Sequence, residues 1–470
     1  MKKSKVLIIA ILVLSLVLSA CATTTPSAPS TNEDLEDTTS DEYPVEVVHE
    51  PDQTEPEDPE QIYPAEPSEV LDGADDLKGV EAYIIDPQVS KDDLDDHAED
   101  INEFAIELYR KLAASDGNLI FSPYSIFQAF LMTYAGANAE TKAEIAEALE
   151  IDLEDGDKVH EWMNALNIHL TTRPEYASKD AQPLEFSVAN ALWAQKEQHY
   201  EQAFLDKLAA NYNAGLKLVD FSQPEEARQL INLWVEAQTN EKIKELIPAG
   251  MLNELTRLVI TNAVYFKGAW SHQFDPQLNS QETFYKLDGS QTTVEMMNLR
   301  FTGAGLVDDD YQAVRLPYEQ SGFSMVVIMP NGDFREFEND LEDELDDIFE
   351  DLDESSASIQ LGLPKFKTES SFSLADQLKA LGMRSAFDAF SADFSGITGA
   401  KDLFISDAIH QAYIDVNEQG TEAAAATAIA MEMTSMPGDT IEIKFDRPFI
   451  YLIYDQTTET IVFMGRVLAP

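Results

Sequence analysis

The chain has 470 residues, a formal net charge of −56 and a single cysteine. Binding to nucleic-acid phosphates requires clustered Lys and Arg, so this charge argues against nucleic acid as a partner. The charge also opposes electrostatic adsorption to anionic lipid. One cysteine permits no internal disulfide bond, and the fold therefore has to be stable through packing alone.

The N-terminus has the order of a secretory signal. Basic residues precede an apolar run from Val6 to Val17, which is too short for a typical membrane span. The run ends in Leu18-Ser19-Ala20-Cys21, which resembles a bacterial lipoprotein signal. The resemblance implies that residues 1–20 are a removed signal peptide and that Cys21 is lipidated, for example with palmitate. The protein would then be secreted and anchored to the bacterial membrane at the cell surface. The alternative is an ordinary signal peptide that is cut nearby.

Residues 21–96 are rich in Pro, Thr, Ser, Asp and Glu and have few large apolar side chains. Such a composition cannot bury enough surface to offset chain entropy, which predicts a disordered acidic tether. Prolines and mutually repelling carboxylates should keep the tether extended. Short apolar patches at Val45–Val48 and Tyr83–Ile85 leave open whether parts of it dock on the folded domain, which we place at 97–470.

Apolar periodicity predicts a mixed arrangement of helices and strands in the folded part. Helices are predicted over 101–112, from 122 to 134, and over 140–149 and 227–246. Strands are predicted over 184–193, 258–266, 323–329, 441–445, 449–454 and 460–467. Helices come mainly first and strands cluster late, which indicates an α+β fold rather than regular βαβ repetition.

The usual signatures of enzyme and metal sites are missing or incomplete. His160-Glu161 begins like a zinc-protease helix, but residue 164 is Asn, so the second ligand is lacking. The carboxylates from Asp340 to Glu354 lack the glycine and spacing of a calcium loop and indicate a solvated helix face or loop. No Gly-x-Ser-x-Gly elbow is present. We therefore expect no enzymatic activity, no cofactor and no metal.

The most informative segment is EQGTEAAAATAIAMEM, residues 418–433. Successive side chains of a strand point to opposite faces. Read this way, one face is uncharged and the other carries Glu422 and Glu432. The uncharged face consists of Thr421, Ala423, Ala425, Thr427, Ile429 and Met431. As a strand, the segment could slide between existing strands and keep both glutamates in water. The alternative is an exposed helix, since Ala is the best helix former.

The flanks of this segment resemble the serpin family, inhibitors that trap proteases by inserting a cleaved loop into their own central sheet. AIHQAYIDVNEQGTEAAAAT resembles the serpin hinge, and FDRPFIYLIYDQTTETIVFMGRVLAP resembles the C-terminal strand pair. Further matching segments lie at 118–145, 231–248, 258–276, 361–383 and 394–398. Together they span about 98–470 in the family's order. The resemblance implies a serpin fold, with helices around a large central β-sheet, further sheets and an exposed reactive loop.

The resemblance also implies roles for particular residues. The loop hinge corresponds to Glu418, Gly420, Thr421, Glu422, Ala423, Ala424, Ala425, Ala426 and Thr427. A sheet-opening set corresponds to Ser122, Ser125, Asn262, Trp270 and His410, of which all but Trp270 are expected to form a buried hydrogen-bonded cluster beneath the sheet. Trp270 is expected near the point where the loop enters the sheet.

Counted from Glu418 with the spacing that is usual in inhibitory serpins, the resemblance implies that the reactive bond is Thr434–Ser435. Met433–Thr434 is the nearest alternative, and Met436 stays open because the loop is about three residues longer than in the commonest inhibitors. A monomer is expected to act on elastase-like, subtilisin-like or chymotrypsin-like serine proteases, with a cysteine protease less favoured. The competing hypothesis is a non-inhibitory serpin-fold protein that binds a ligand or supports assembly.

Overall fold

The computed structural model describes residues 74–172, 184–319, 321–421 and 440–470. The strands within these ranges are β1 (Asp75–Lys78), β2 (Leu119–Phe121), β3 (Glu185–Gln195), β4 (Gly215–Val219), β5 (Leu258–Ala269), β6 (Ser280–Tyr285), β7 (Gln291–Gly303), β8 (Gly305–Val307), β9 (Tyr311–Pro317), β10 (Phe323–Pro330), β11 (Ala357–Pro364), β12 (Phe366–Ser373), β13 (Asp407–Asn417), β14 (Gly420–Thr421), β15 (Thr440–Lys444), β16 (Phe449–Asp455) and β17 (Thr460–Val467). The helices are α1 (Lys91–Leu112), α2 (Pro123–Tyr134), α3 (Ala139–Ala148), α4 (Lys158–Thr171), α5 (Gln202–Tyr212), α6 (Pro224–Gln238), α7 (Phe334–Glu354), α8 (Ala375–Ala380) and α9 (Ser395–Thr398), with 3₁₀ turns at Pro276–Leu278 and Ser385–Phe387.

The described strands form three sheets. The central sheet has the order β1-β4-β3-β5-β14-β13-β12, in which β13 runs parallel to β5. A second sheet has the order β2-β17-β16-β10-β9-β8, and a third has the order β15-β11-β7-β6. Helices and sheets are thus mixed along the chain, and the predicted α+β class with a large central sheet is confirmed.

One cluster of buried apolar side chains includes residues of both the central sheet and the second sheet, and another joins the central sheet to α6. Strand β5 is buried at every position except Lys267, which explains its nearly continuous apolar sequence. Helix α2 is buried on all sides and packs against β3, β5 and β17. Ser122 caps this helix by accepting a hydrogen bond from the Ser125 N–H, and Pro123 occupies its first turn. A helix whose side chains are mostly apolar on every side belongs in such a position.

The predicted elements are present, and two of them differ from the prediction by more than three residues at one end. Helix α1 begins at Lys91, ten residues before the predicted start, because Ser90 caps it and accepts from the Asp93 N–H. Helix α6 ends at Gln238 instead of continuing to 246. Asn240 and Glu241 have φ angles of 49° and 61°, a left-handed conformation that stops a helix.

The last part of the predicted tether is folded onto the domain. Strand Asp75–Lys78 pairs antiparallel with β4 and forms an edge of the central sheet. The Ile84 N–H donates to the Ala210 carbonyl at 2.9 Å, and the Ile84 carbonyl accepts from Asn164 Nδ2 at 2.8 Å. The prediction of disorder up to residue 96 is therefore wrong for 74–96, and the predicted domain start falls inside α1. Backbone hydrogen bonds carry much of this docking, which is why an acidic composition did not reveal it.

The signal peptide, Cys21 and the tether up to residue 73 lie outside the described residues, so those predictions stay as they were. Among the residues that the structure does describe, no helix is both long and apolar enough to cross a membrane.

Candidate functional site

The predicted hinge begins inside the central sheet. Strand β13 ends at Asn417, the chain turns at Glu418 and Gln419, and β14 runs back antiparallel to β13. On its other side β14 pairs antiparallel with β5, with Gly420 opposite Ala269 and Thr421 opposite Gly268. The first residues of the hinge thus already occupy a strand position between β5 and β13.

Gly420 is required by its close approach to β5. A Cβ atom at this position would lie 2.0 Å from the carbonyl oxygen of Gly268 and 2.8 Å from the Ala269 Cα. Both neighbours are backbone atoms of a central strand and cannot move aside. Any side chain at residue 420 would therefore push the hinge out of the sheet.

Thr421 points into the core, as the alternating pattern predicts. Its side chain is fully buried, and its hydroxyl lies 2.7 Å from the Tyr318 hydroxyl. Burial raises the pKa of the Tyr318 phenol well above its usual range, so the hydroxyl stays protonated. The Tyr318 ring stacks on Trp270, with ring centroids 4.7 Å apart. Trp270 Nε1 in turn donates to the Asn417 carbonyl at 2.9 Å, at the end of β13.

Glu418, the first hinge residue, is held by two side chains that sequence reasoning did not single out. Its carboxylate accepts from Lys365 Nζ at 2.7 Å and from Asn279 Nδ2 at 2.6 Å. Burial acts to raise the pKa of this carboxyl, but the hydrogen bonds from Lys365, the Glu418 backbone and Asn279 outweigh it, and the pKa is lowered. The carboxylate therefore stays charged. Lys365 also contacts Glu295 at 3.0 Å, which extends the network to β7.

The predicted buried polar cluster of Ser122, Ser125, Asn262 and His410 lies beneath the central sheet, and all four side chains are fully buried. Asn262 and His410 are register partners on β5 and β13, and their side chains hydrogen-bond through Asn262 Oδ1 and His410 Nδ1. Asn262 Nδ2 donates to Ser125 Oγ at 2.6 Å. The Ser122 N–H donates to His410 Nε2 at 3.3 Å, and Ser122 Oγ donates to the Val462 carbonyl at 2.7 Å. The cluster therefore joins β5, β13, α2 and β17.

These contacts fix the protonation of His410. Nε2 accepts a hydrogen bond, so Nδ1 carries the proton and the ring is neutral. Burial lowers the pKa of His410 to about 3, which agrees with a neutral ring. A charged imidazole would lose the bond from the Ser122 N–H and would be buried without a counter-ion.

Two further members of this network were missed in the sequence. Asn190 Nδ2 donates to the Ser125 carbonyl at 3.0 Å and to Gln128 Oε1 at 2.9 Å, and Asn190 Oδ1 accepts from Ser125 Oγ at 3.2 Å. Asn190 also pairs in register with Asn262 across β3 and β5. An amide inside the apolar strand β3 was the available signal, because buried polar groups have to be hydrogen-bonded.

The structure separates Trp270 from the buried polar cluster. Trp270 follows the last residue of β5, at the hinge end, whereas Asn262 lies in the middle of that strand. Trp270 thus lies beside the turn that leads into β14, where its backbone N–H donates to the Gln419 carbonyl at 2.9 Å. The remaining hinge residues from Glu422 to Thr427 and the candidate bonds at Met433–Met436 lie outside the described residues. Within the described ranges, no three His, Cys, Asp or Glu side chains converge as metal ligands.

Comparison with known proteins identifies relatives of this arrangement. The family model for serpins, described as serine protease inhibitors, matches residues 99–470. An uncharacterized serpin-like protein of Thermococcus kodakarensis is 38% identical over 376 residues, which cover 79% of this chain and 85% of that protein. The leukocyte elastase inhibitor of Bos taurus is 36% identical over 388 residues, covering 78% of this chain and 97% of the inhibitor.

Solved structures agree with the fold. The native state of the thermophilic serpin tengpin superposes with a TM-score of 0.71 at 26% sequence identity, covering 85% of this chain and all of tengpin. Thyroxine-binding globulin in complex with thyroxine gives a TM-score of 0.69 at 28% identity, covering 79% of this chain and 99% of the globulin.

Proposed function

Because the chain belongs to the serpin family of serine protease inhibitors, we propose that it is a suicide inhibitor of serine proteases that acts by loop cleavage and insertion. One observation carries this proposal: β14 already lies between β5 and β13, which is where an inserted loop has to enter. The direct pairing of β5 with β13 ends at Val264 and Ala412. Closer to the ends of these two strands, β14 lies between them.

The proposed reaction begins as an ordinary proteolytic step. The protease serine attacks the carbonyl of one bond in the loop, the peptide bond breaks, and the new amine leaves with the downstream segment. The upstream segment stays attached as an acyl-enzyme ester. If the freed loop enters the sheet before water hydrolyses the ester, the protease is dragged along and its active site is distorted. Completion of the sheet and burial of the uncharged face supply the driving force.

The hinge composition supports insertion rather than simple cleavage. The Thr421 side chain is buried in the sheet. Side chains alternate along a strand, so in the inserted loop every second residue from Thr421 would also point inward, and the residues between them would point outward. By alternation Ala423, Ala425 and Thr427 share that inward face, and none of them is charged or large. A charged residue at these positions would have to be buried in the inserted state, which costs several kcal/mol.

The experiment is a panel of elastase-like, subtilisin-like, chymotrypsin-like and trypsin-like proteases mixed with the purified protein. The expected result is a complex that survives boiling in detergent with at least one enzyme of the first three classes. Elastase is the first choice, since the leukocyte elastase inhibitor is a relative. If every enzyme merely cuts the loop or leaves it intact, the inhibitory proposal fails and a non-inhibitory binding role takes its place.

We also propose that the inhibitor is anchored to the bacterial cell surface through lipid on Cys21. The support is the basic–apolar order that ends in Leu18-Ser19-Ala20-Cys21. The tether between Cys21 and residue 74 would reach at most roughly 180 Å when fully extended. Cys21→Ala should abolish labelling with palmitate and membrane partitioning, while the protease panel gives the same result. Equal partitioning of both proteins, with no label in either, would contradict the anchor.

A further inference from the structure

The hinge residues enter the sheet before any bond has been cut. Gly420 and Thr421 pair on one side with Asn417 and Val416 of β13, and on the other side with β5. Beyond this two-residue strand, the next described residue of the chain is Thr440. The hydrogen bond of Thr421 is therefore the last described side-chain contact before the reactive loop.

Tyr318, the partner of Thr421, is fixed independently of the hinge. Its N–H donates to the Phe323 carbonyl at 2.9 Å, and it forms a β-bridge with Trp270. Its ring stacks on Trp270 and packs edge-on against Phe266, with centroids 4.9 Å apart. The Tyr318 phenol is thus held rigidly in a buried position. Among the described side chains, its hydroxyl forms a hydrogen bond with that of Thr421.

We propose that Tyr318 is a positioning residue that holds Thr421 in the central sheet and thereby preforms the first pairs of the inserting strand. The part of this proposal that concerns insertion rests on the inhibitory function proposed above. Bringing the end of a free chain into a sheet costs loop entropy before any hydrogen bond is gained. A hinge that is already paired has met this cost, so insertion after cleavage continues from an existing end. The same contact restrains the loop in the intact protein.

Removal of the Tyr318 hydroxyl should act on the hinge and leave the rest of the fold alone. In Tyr318→Phe the Thr421 hydroxyl stays buried without its partner, and the hinge should leave the sheet more often. A single hydrogen bond corresponds to about a fivefold change in such an equilibrium. We expect about fivefold faster hydrogen exchange of backbone amides in residues 417–421. With a target protease, the share of cleaved inhibitor should rise relative to trapped complex, while the rate of association should not fall.

Three further variants separate positioning from a general loss of stability. Tyr451→Phe removes another fully buried tyrosine hydroxyl, which donates to the Leu119 carbonyl at 3.1 Å instead of contacting Thr421, and serves as the matched control. It should leave exchange at 417–421 unchanged. Thr421→Val should resemble Tyr318→Phe. The double variant Tyr318→Phe/Thr421→Val leaves no unpaired hydroxyl, so its effect should be smaller than the sum of the two single effects.

The exchange measurement decides the proposal without any protease. Unchanged exchange at 417–421 in Tyr318→Phe, or an equal rise in Tyr451→Phe, overturns it. Faster exchange in Tyr318→Phe with an unaltered ratio of cleaved to trapped inhibitor also overturns it, because the contact would then play no part in insertion. A wild-type protein that traps no protease would instead overturn the inhibitory function, and faster hinge exchange would still support the contact as a restraint on the loop.

Discussion

The Lys365 ammonium donates a hydrogen bond to the Glu418 carboxylate, 2.7 Å from Nζ to Oε1, at the turn where the chain leaves β13. The Glu418 side chain is 12% exposed and that of Lys365 is 33% exposed. Lys365 is the residue immediately before β12, so this ion pair links the start of the hinge to that strand. Since Glu418 also accepts from Asn279, the turn is fixed from two directions.

We predict that Glu418→Lys destabilises the native protein more than Glu418→Gln does. The glutamine keeps some hydrogen bonds and should cost about 1 kcal/mol, whereas a second ammonium beside Lys365 should cost about 2–3 kcal/mol. Urea unfolding followed by circular dichroism measures the difference. The double variant Glu418→Lys/Lys365→Glu should recover part of the loss.

The matched control for this pair is Glu282→Gln. Glu282 accepts from Lys444 at 2.8 Å, but both side chains are about a third exposed, and such surface pairs contribute little to stability because water screens them. A loss for Glu418→Lys no greater than that for Glu282→Gln would show that the ion pair at the hinge turn has no special role.

We predict that a charge on the inward face of the hinge converts the inhibitor into a substrate. Thr421→Arg cannot occupy the buried site beside Tyr318, and Ala423→Glu would bury a carboxylate on insertion. A cost of about 3 kcal/mol corresponds to a loss of more than a hundredfold in the insertion rate. The loop should still be cut, but electrophoresis in detergent should show cleaved inhibitor and little complex.

Glu422→Gln is the control for this series, because residue 422 belongs to the outward face of the alternating pattern. It should trap protease as the wild type does. If Ala423→Glu traps protease with unchanged stoichiometry, the assignment of the inward face is refuted.

We predict an acid-sensitive contribution from His410 to stability. Its folded pKa is about 3, below the value of about 6.5 in an unfolded chain. Below pH 6.5 the unfolded chain takes up a proton that the native ring does not. The free energy of unfolding should therefore fall by about 1.4 kcal/mol per pH unit between roughly pH 6.5 and 3 through this residue.

His410→Gln tests this contribution, since glutamine cannot take up the proton. The variant should be less stable at pH 7.5, because the hydrogen bonds to Asn262 and Ser122 are impaired, but its stability should fall less steeply towards pH 4. Urea unfolding at several pH values gives the two slopes. His199→Gln is the control, because the His199 side chain is 74% exposed. Parallel slopes for His410→Gln and wild type would rule out the contribution.

Sequence patterns predicted the buried parts of this fold better than its edges and its site contacts. Strands β5, β16 and β17 carry long apolar runs that only buried strands need, and their positions agree with prediction. Strand β1 escaped prediction because an edge strand is held by backbone hydrogen bonds, to which an acidic composition gives no clue. Its partner β4 lies far along the chain.

The site shows the same division. The buried polar cluster could be named in advance because the resemblance to serpins implied it for Ser122, Ser125, Asn262 and His410. Tyr318 could not, since a single aromatic residue between Pro317 and Glu319 gives no local sign of a contact with the hinge. Its role depends on a contact with Thr421 across 103 positions of sequence, which no local pattern encodes.

Our last prediction concerns the protease class and the bond that is cut. Lys and Arg are absent from residues 418–443, so every candidate bond presents an uncharged residue to the protease. A trypsin-like pocket contains a buried carboxylate that would be left unpaired, which disfavours that class strongly. Thr434 at the Thr434–Ser435 bond suits the small or medium apolar pockets of elastase-like and subtilisin-like enzymes. Met433 or Met436 would also suit a chymotrypsin-like pocket.

Mass spectrometry of the fragment released on complex formation identifies the bond. The expected fragment begins at Ser435, and one that begins at Thr434 would move the reactive bond to Met433–Thr434. Thr434→Arg provides the converse test, because a cation should admit trypsin-like enzymes while the hinge face stays uncharged and able to insert. The variant should then trap trypsin in a detergent-resistant complex. Rapid trapping of trypsin by the wild type, with no trapping of elastase or subtilisin, would contradict the assignment. The carboxylate of the trypsin pocket would then have accepted a loop that offers it no cation.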